Sequence, residues 1–384
     1  MPAPLAQSST GYNDQAIYQD MMTCRGNYRA IGLMSGTSMD GIDIAYLESD
    51  GVTVSSYGGC ATHRYANDVR NRLRRLISGF GNRDALEEEL TLIHWIAVRD
   101  FLKRENLNTN EIDLVGFHGH TIDHDPEKAR TVQIGDGALL AHKLNIPVVN
   151  DFRSNDIRHG GQGAPLVPAF HAVLTAELEK PIAVLNIGGV ANVTWVGAGD
   201  GNLLAFDTGP GNSLIDDWIS RHGVGEYDIS GRIAAKGSLN GAVLEQFLDH
   251  PYFKRKPPKS LDRNEFSLDL MNNNGLENGA ATLNAFTVES IKISQTHFPS
   301  PVNRWIICGG GRHNRFMVSQ LRDLLEQPVI NADELGWQGD AIEAQAFAYL
   351  AIRSNLGLPI SFPNTTGVKI PLTGGVYHVP NKEL

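Results

Sequence analysis

The sequence predicts an α/β protein built from two similar halves. The chain has 384 residues, of which 41% are hydrophobic and 20% charged, so it holds enough apolar material for two domains of ordinary size. In each half, a glycine turn joins two apolar, strand-like segments, and mixed strand and helix patterns follow. This weak internal duplication is typical of layered α/β units around a sheet.

Charge and cysteine content favour a cytoplasmic protein that acts on small molecules. The formal net charge of −10 disfavours nucleic acid or an anionic membrane as a partner, because either would be repelled. Cys24, Cys60 and Cys308 show neither metal-ligand spacing nor a disulfide framework. No apolar run reaches the roughly 18 residues that span a bilayer. Residues 1–28 lack the pattern of a secretion signal, and we expect a flexible extension there.

Strand and helix patterns can be followed through the first half. Residues 30–34 are apolar, and Ile42, Ile44 and Tyr46 alternate with other side chains, which predicts a hairpin. Apolar residues at helical spacing predict helices over 69–80 and 92–101. The other elements predicted here are a buried strand at 112–117, a helix at 136–144 and a short strand at 147–149.

A glycine-rich joint at residues 160–163 precedes the second half. Strands are predicted at 182–187, 192–196 and 203–206, a helix from Asn212, a long helix at 283–298, and a strand at 305–308 followed by three glycines and two helices. We expect a first domain of residues 29–155 with 365–384, and a second of 156–364, with another joint at 363–367.

Three glycine turns predict phosphate binding. Glycine lets backbone N–H groups approach an anion closely, hydroxyls add donors, and a carboxylate can hold a water of Mg²⁺. Each turn alone is also explained as an ordinary hairpin or strand–helix connection, and none is a Walker loop. Two turns in matching places of two halves can instead clamp one nucleotide. The predicted nucleotide-binding residues are Gly36, Thr37, Ser38, Met39, Asp40, Gly41, Ile42, Asp43, Asn186, Gly188, Gly189, Gly309, Gly310, Gly311 and Asn314.

Two carboxylates are candidates for chemistry. Asp207 follows a predicted strand and precedes a Gly-Pro-Gly turn, where it can act as the general base that phosphoryl transfer requires; capping the next helix is the alternative. Glu343 interrupts an apolar helix, where a buried carboxylate must be paired or face a ligand; a solvent-exposed helix edge is the alternative.

Histidines and a basic loop complete the candidates. His118, His120 and His124 have no thiolate or carboxylate partner in the pattern, which favours hydrogen bonding to a sugar or to backbone over zinc, and no metal-ligating residues are predicted. The basic loop at residues 254–259 is most simply a solvated turn.

Taken in order, these motifs resemble the anhydro-N-acetylmuramic acid kinase family over residues 29–377. The segments that carry the resemblance are 31–41, 160–168, 185–192, 206–212, 309–311 and 343–344. The resemblance implies two ribonuclease H-like (actin/hexokinase-like) domains with a central cleft that binds ATP and Mg²⁺. It also implies a homodimer in the bacterial cytoplasm that recycles peptidoglycan sugar.

The resemblance implies a reaction as well. The family opens the 1,6-anhydro ring of its sugar with water and phosphorylates O6, giving N-acetylmuramic acid 6-phosphate. Asp207 matches the base that activates water for attack at C1, and Glu343 matches a carboxylate near the sugar and the transferred phosphate. The predicted substrate-binding residues are His118, Thr121, Gly209, Pro210, Asn212 and Glu343.

Other functions are open at this point. The chain departs from the family pattern at His120, Gly137 and residues 154–156, on the expected sugar side, so another anhydrosugar such as levoglucosan is an alternative substrate. A plain hexose kinase leaves the segment 160–168 unexplained. A nucleotide-gated, non-enzymatic protein of the actin or chaperone type is the alternative of a different class, and ATP consumption that depends on sugar distinguishes it from a kinase.

Overall fold

Two β-sheets with surrounding helices form the framework of the protein. Its computed structural model describes residues 26–36, 39–199, 201–262 and 265–380. Cys24, most of the predicted N-terminal extension, and Thr37 and Ser38 of the first glycine turn lie outside the described residues. In the described part of the chain, none of the helices has the length and apolar character needed to cross a bilayer.

The strands and helices are numbered in chain order. The strands are β1 Tyr28–Ser35, β2 Gly41–Ser49, β3 Val54–Arg64, β4 Leu114–Asp125, β5 Arg130–Ile134, β6 Val148–Asn150, β7 Ile182–Ile187, β8 Val190–Val196, β9 Leu203–Pro210, β10 Arg304–Cys308, β11 Val329–Asn331 and β12 Val376–His378. The helices are α1 Asn67–Ile77, α2 Arg83–Glu105, α3 Gly137–Leu144, α4 Ser154–Arg158, α5 Pro168–Leu174, α6 Ser213–Arg221, α7 Gly241–Leu248, α8 Leu276–Ser294, α9 Arg315–Leu324, α10 Ile342–Asn355 and α11 Pro363–Thr366.

The two sheets share one connectivity. The first has the order β12-β6-β4-β1-β2-β3, with β5 on β4, and the second has the order β11-β10-β7-β8-β9. In each, three antiparallel strands run consecutively, and two parallel strands then add to the far side of the first. Parallel neighbours need crossover connections, which the helices supply. The predicted α/β fold with two related halves is confirmed.

Two strands extend further than the sequence predicted. Strand β4 continues to Asp125 because its end pairs with β5, so His118 and Thr121 lie inside it. Strand β9 continues to Pro210 because its end pairs with β8, so Asp207 lies inside a strand rather than just beyond one. The end of each strand is set by pairing with another strand, and the local sequence does not reveal that pairing.

Helix α10 packs closely against the first sheet. A Cβ atom added to Gly32 would overlap the carbonyl oxygen of Ala344, and one added to Gly116 would overlap that of Phe347. Since neither glycine carries a side chain, the helix backbone contacts the strands directly. The helix is almost entirely buried along its length. This contact fixes the position of Glu343 in its first turn.

The C-terminal part of the chain contacts both sheets. Helix α10 contacts β1, β2 and β4 of the first sheet, helix α11 contacts β9 of the second, and β12 pairs with β6 of the first. We therefore propose that the second domain ends before α10, between residues 331 and 342, rather than at residue 364.

The two predicted joints contact each other through one buried carboxylate. Asp156 is 2% exposed, and it accepts hydrogen bonds from Gly163 N at 2.6 Å and from Thr366 Oγ1 at 2.5 Å. Gln162 N donates to Thr366 O at 2.6 Å. Residues 160–163 and 363–367 thus form one bonded unit.

Replacing Gly116 with alanine should lower the free energy of unfolding by about 1–3 kcal/mol, because an overpacked core must shift to admit the added methyl group. Gly241→Ala is the matched control, since the space around that glycine is open. Urea unfolding of both variants measures the effect. Equal stability of the two variants would show that α10 does not depend on this close contact.

Candidate active site

The second and third glycine turns meet beside Glu343. The third turn contacts the second directly, because a Cβ added to Gly309 would lie 2.9 Å from Ile187 O. Asn186, which precedes the second turn, donates through Nδ2 to Glu343 Oε1 at 3.3 Å. Burial raises the pKa of Asp43, which follows the first turn, and the charges of Asp40 and Glu343 add to the rise. Residues predicted from three distant segments therefore face one another.

The first turn is held by a residue in a left-handed conformation. Met39 has φ 57° and donates its N–H to Gly36 O at 3.1 Å, and Gly41 then begins β2. The side chain of Ile42 is fully buried in the core, so only its backbone is available to a ligand.

Asp43 is a half-buried carboxylate beside this turn. Burial raises its pKa to about 7, and the negative charges of Asp40, Glu343 and Asp340 add to the rise, while a hydrogen bond from Thr62 opposes it. A cation bound close to Asp43 would be stabilised by the negative charges of these carboxylates.

The second turn is closed by the start of α6. Gly211 N donates to Gly189 O at 2.9 Å, and Asn212 N donates to Gly188 O at 2.8 Å. Asn212 Nδ2 also donates to Ile187 O and Gly188 O, at 3.2 and 3.1 Å. The Asn212 amide thus holds the turn, and its predicted contact with the substrate stays a prediction.

The third turn offers open space at its centre. Gly309 has φ +73°, and the space beside Gly310 is empty, so a planar ligand can approach the backbone. Asn314, which we predicted to bind nucleotide, caps α9 by accepting from Met317 N at 3.0 Å. Its assigned contact with nucleotide also stays a prediction.

An arginine that the sequence did not single out holds the third turn. Arg312 is 5% exposed and donates to Gly309 O at 3.1 Å, to Asp333 Oδ2 at 3.1 Å and to Asp340 Oδ2 at 2.8 Å. It ties the glycine turn to the segment that leads into α10. A basic residue directly after three glycines was its only sequence signal.

Asp207 is the predicted base, and its carboxylate lines a cavity with Arg153 and Glu343. It pairs across the sheet with Asn192, beside a bulge of β9 at Thr208, and its Oδ2 accepts from Leu261 N at 2.7 Å. Burial raises the pKa of Asp207 to about 7, against the hydrogen bond from Leu261 and the positive charges of Arg153 and Lys259.

Arg153 was missed as a site residue. It lines the same cavity as Asp207 and Glu343. Burial raises the pKa of both carboxyls, and the positive charge of Arg153 opposes that rise. It donates to Gly163 O at 2.7 Å and to His118 Nε2 at 3.0 Å. A single arginine after a short strand does not reveal, from sequence alone, that its side chain lies near two distant carboxylates.

His118 is neutral and bonded on both nitrogens. Burial and the charge of Arg153 hold its pKa well below the usual range. Because Nε2 accepts from Arg153, Nδ1 carries the proton and donates to Gly119 O at 2.9 Å. The structure thus gives His118 a role in orienting Arg153, and direct contact with a sugar stays a prediction.

The other predicted sugar-side residues are bonded or packed within the sheets. Thr121 Oγ1 accepts from Gln133 Nε2 at 3.2 Å. Gly209 packs against Ser290, with 2.6 Å between an added Cβ and Ser290 Oγ, and Pro210 is buried at the end of β9. Their roles in substrate binding stay predictions.

A small cavity lies between these groups. It has a volume of about 130 Å³, and its lining includes Arg153, His171, Asn186, Asp207, Gly309 and Glu343. His171 is 1% exposed and bonds Thr194 Oγ1 through Nδ1 at 2.8 Å. Its Nε2 has no partner among the described residues, and burial lowers its pKa to about 3. No sequence pattern indicated a role for this histidine.

Within the residues that the structure describes, no group of three or more His, Cys, Asp or Glu side chains has the arrangement to hold a metal ion alone. Mg²⁺ is commonly held by one or two carboxylates together with substrate phosphates and water. The donor set around Asp43 fits that kind of site.

The fold and the cavity define a two-part α/β protein with a polar site that combines carboxylates, an arginine and a glycine turn. A family model described as "Anhydro-N-acetylmuramic acid kinase" matches residues 28–379. The chain belongs to this family, as the sequence motifs predicted.

Relatives agree over nearly their full length. The anhydro-N-acetylmuramic acid kinase of Paramagnetospirillum magneticum is 51% identical, with 91% of this chain and 99% of the relative covered. That of Methylobacterium nodulans is 50% identical with the same coverage. Among solved structures, an inorganic polyphosphate/ATP-glucomannokinase from Arthrobacter is 14% identical with a TM-score of 0.38, covering 86% of this chain and 100% of that one.

Replacing Arg153 with methionine should raise the pKa of Asp207 further above 7, because removing a cation favours the protonated carboxyl. Carbon-detected NMR titration of labelled aspartate carboxyls measures this. Arg130→Met is the control, since Arg130 is an exposed residue that pairs with Asp123 instead. An unchanged Asp207 titration would show that the guanidinium does not act on this carboxylate.

Proposed function

We propose that the chain is an ATP-dependent kinase that opens the 1,6-anhydro ring of anhydro-N-acetylmuramic acid with water and phosphorylates O6. The product is N-acetylmuramic acid 6-phosphate. The observation that carries the proposal is that Asp207 and Glu343 line one cavity with the backbone of Gly309. The family match and relatives of the same name support the choice of substrate.

The proposed reaction couples two displacements. Water attacks C1 from the face opposite the bridging oxygen, as in inverting glycoside hydrolysis, and Asp207 takes the proton of that water. The C1–O6 bond breaks, O6 attacks the γ-phosphorus, and the bond to ADP breaks. One carboxylate base thus serves a water molecule, while the sugar itself supplies the nucleophile for phosphoryl transfer.

The electrostatics of Asp207 suit this role. A general base works best when its pKa lies near the working pH, and burial brings that of Asp207 to about 7. The Leu261 N–H orients Oδ2, which leaves the other carboxylate oxygen for water. Arg153 keeps a positive charge between Asp207 and Glu343, and thereby limits repulsion between two carboxylates and a triphosphate.

ATP and Mg²⁺ belong to the proposal. The backbone of residues 36–41, 188–189 and 309–311 would bind the nucleotide, and Asp40 and Asp43 would hold Mg²⁺ through oxygen ligands. Bound Mg²⁺ neutralises charge that develops on the phosphates. A homodimer, a cytoplasmic location and a place in peptidoglycan recycling complete the proposal, and these rest on the family resemblance.

A kinase assay with a panel of sugars tests the substrate. We expect ADP release only with anhydro-N-acetylmuramic acid, and a ring-opened 6-phosphate as product. In water enriched in ¹⁸O, mass spectrometry of early product should find one ¹⁸O at C1 and none in the phosphate. Levoglucosan as the better substrate would replace the proposed sugar, and ADP release without sugar would contradict a kinase.

Asp207→Asn should lower kcat by several orders of magnitude while ATP still binds, because the amide cannot take the proton of water. The variant should be at least as stable as the wild type at pH 8. A carboxyl whose pKa rises from 3.8 to about 7 on folding binds more protons in the native state, so its contribution to stability falls as pH rises through that window.

Calorimetry with an ATP analogue and thermal unfolding at pH 5 and pH 8 measure these effects. Asp217→Asn, an exposed change on the surface of α6, is the matched control. A variant of Asp207 that retains near-normal turnover would remove the role of base from this residue.

A further inference from the structure

A buried lysine lies beside Asp207. Lys259 is 7% exposed, and its Nζ donates to Tyr252 O at 3.3 Å. The ammonium lies 4.5 Å from the centroid of the Tyr252 ring and 5.7 Å from that of Phe206. The expectation of a solvated turn is therefore wrong at this position. Aromatic faces stabilise the cation where water is excluded, and burying it incurs a desolvation cost.

The segment that carries Lys259 also clamps Asp207. Asp207 N donates to Lys259 O at 3.0 Å, and two residues later Leu261 N donates to Asp207 Oδ2 at 2.7 Å. Tyr252, which holds the ammonium, donates its hydroxyl to Asp207 O at 2.5 Å. Asp207, Lys259 and Tyr252 thus form a closed ring of contacts.

The charged groups that act on this ring include Arg153, Arg255 and Glu265. Arg153 and Lys259 supply the positive charges that favour ionised Asp207, and burial raises the pKa of the Tyr252 hydroxyl, so that it stays neutral. Burial, aided by Arg255, lowers the pKa of Lys259 to about 8, while Asp207 opposes that fall. His297 also feels the charge of Lys259. The ammonium is thus charged at neutral pH.

We propose that Lys259 is a positioning residue of the reaction, whose buried ammonium, held against Tyr252, places a positive charge beside Asp207 and favours its proton-accepting form. This inference rests on the proposed function, in which Asp207 is the base. The ammonium of Lys259 packs against Phe206, which precedes Asp207 in β9, and against Tyr252, which bonds Asp207 O. It acts on the Asp207 carboxylate through a longer-range electrostatic attraction. In a poorly solvated region, such an interaction is stronger than at the surface.

The pH dependence of kcat/KM tests the proposal. Removing the cation raises the pKa of Asp207, so Lys259→Met should move the acidic limb of the profile by about one unit toward higher pH. Activity then falls about tenfold at pH 6 and recovers toward wild type at pH 9. Lys259→Arg keeps the charge and should keep the limb in place. Lys256→Met, an exposed lysine in the same loop, should change nothing.

A second readout separates this inference from the proposed function. The carboxyl titration of Asp207, followed by NMR without substrate, should shift in Lys259→Met by the same amount as the acidic limb. If the wild type phosphorylates no anhydrosugar, the proposed function fails while this titration still tests the coupling. A uniform loss of activity at every pH with an unshifted titration would overturn the inference. Lys259→Gln retains a donor for Tyr252 O and provides the same test if the methionine variant does not fold.

Discussion

The direct contact of helix α10 with the first sheet is the constraint on which the candidate site depends. Gly32 and Gly116 leave no side chains between strand and helix, so the helix axis lies closer than packed side chains allow. Its first turn then presents Glu343 to Asn186 at the end of a strand of the second sheet. The two halves share an apolar core around this helix, and the polar contact at Glu343 lies beside that core.

Charge burial follows from this arrangement. Asp43, Asp207 and Glu343 all have raised pKa values because burial penalises their ionised forms. Arg153 opposes the effect for two of them. Each ionised carboxylate lowers the stability of the folded state at neutral pH, and such a cost is typical of residues retained for chemistry.

Local patterns predicted much of the fold. Strand β7 has the bounds that its apolar residues predicted. The helix predicted from Asp136 begins directly after that residue, which is its N-cap. The glycine turns and Asp207 were recognisable because turns recur in matching places of the two halves and the motifs follow one another in a specific order. The extent of β4 and β9 was not, since it depends on pairing with strands elsewhere.

Sequence analysis did not identify the residues that act through contacts with distant parts of the chain. Arg153, His171 and Lys259 each occupy ordinary local settings, and their importance appears only when segments far apart in the chain meet. The same holds for Asn212 and Asn314, whose amides hold a turn and cap a helix. The residue type shows that these side chains can form hydrogen bonds, but it does not show with which partner.

The carboxylate of Asp156 has a mechanical consequence. It binds Gly163 and Thr366, which lie in chain segments about two hundred residues apart, and a backbone bond from Gln162 reinforces the tie. Two chain segments that moved independently would let the halves rotate against each other in several directions. Because both segments are bonded to Asp156, any rotation of one half against the other must move the two segments together.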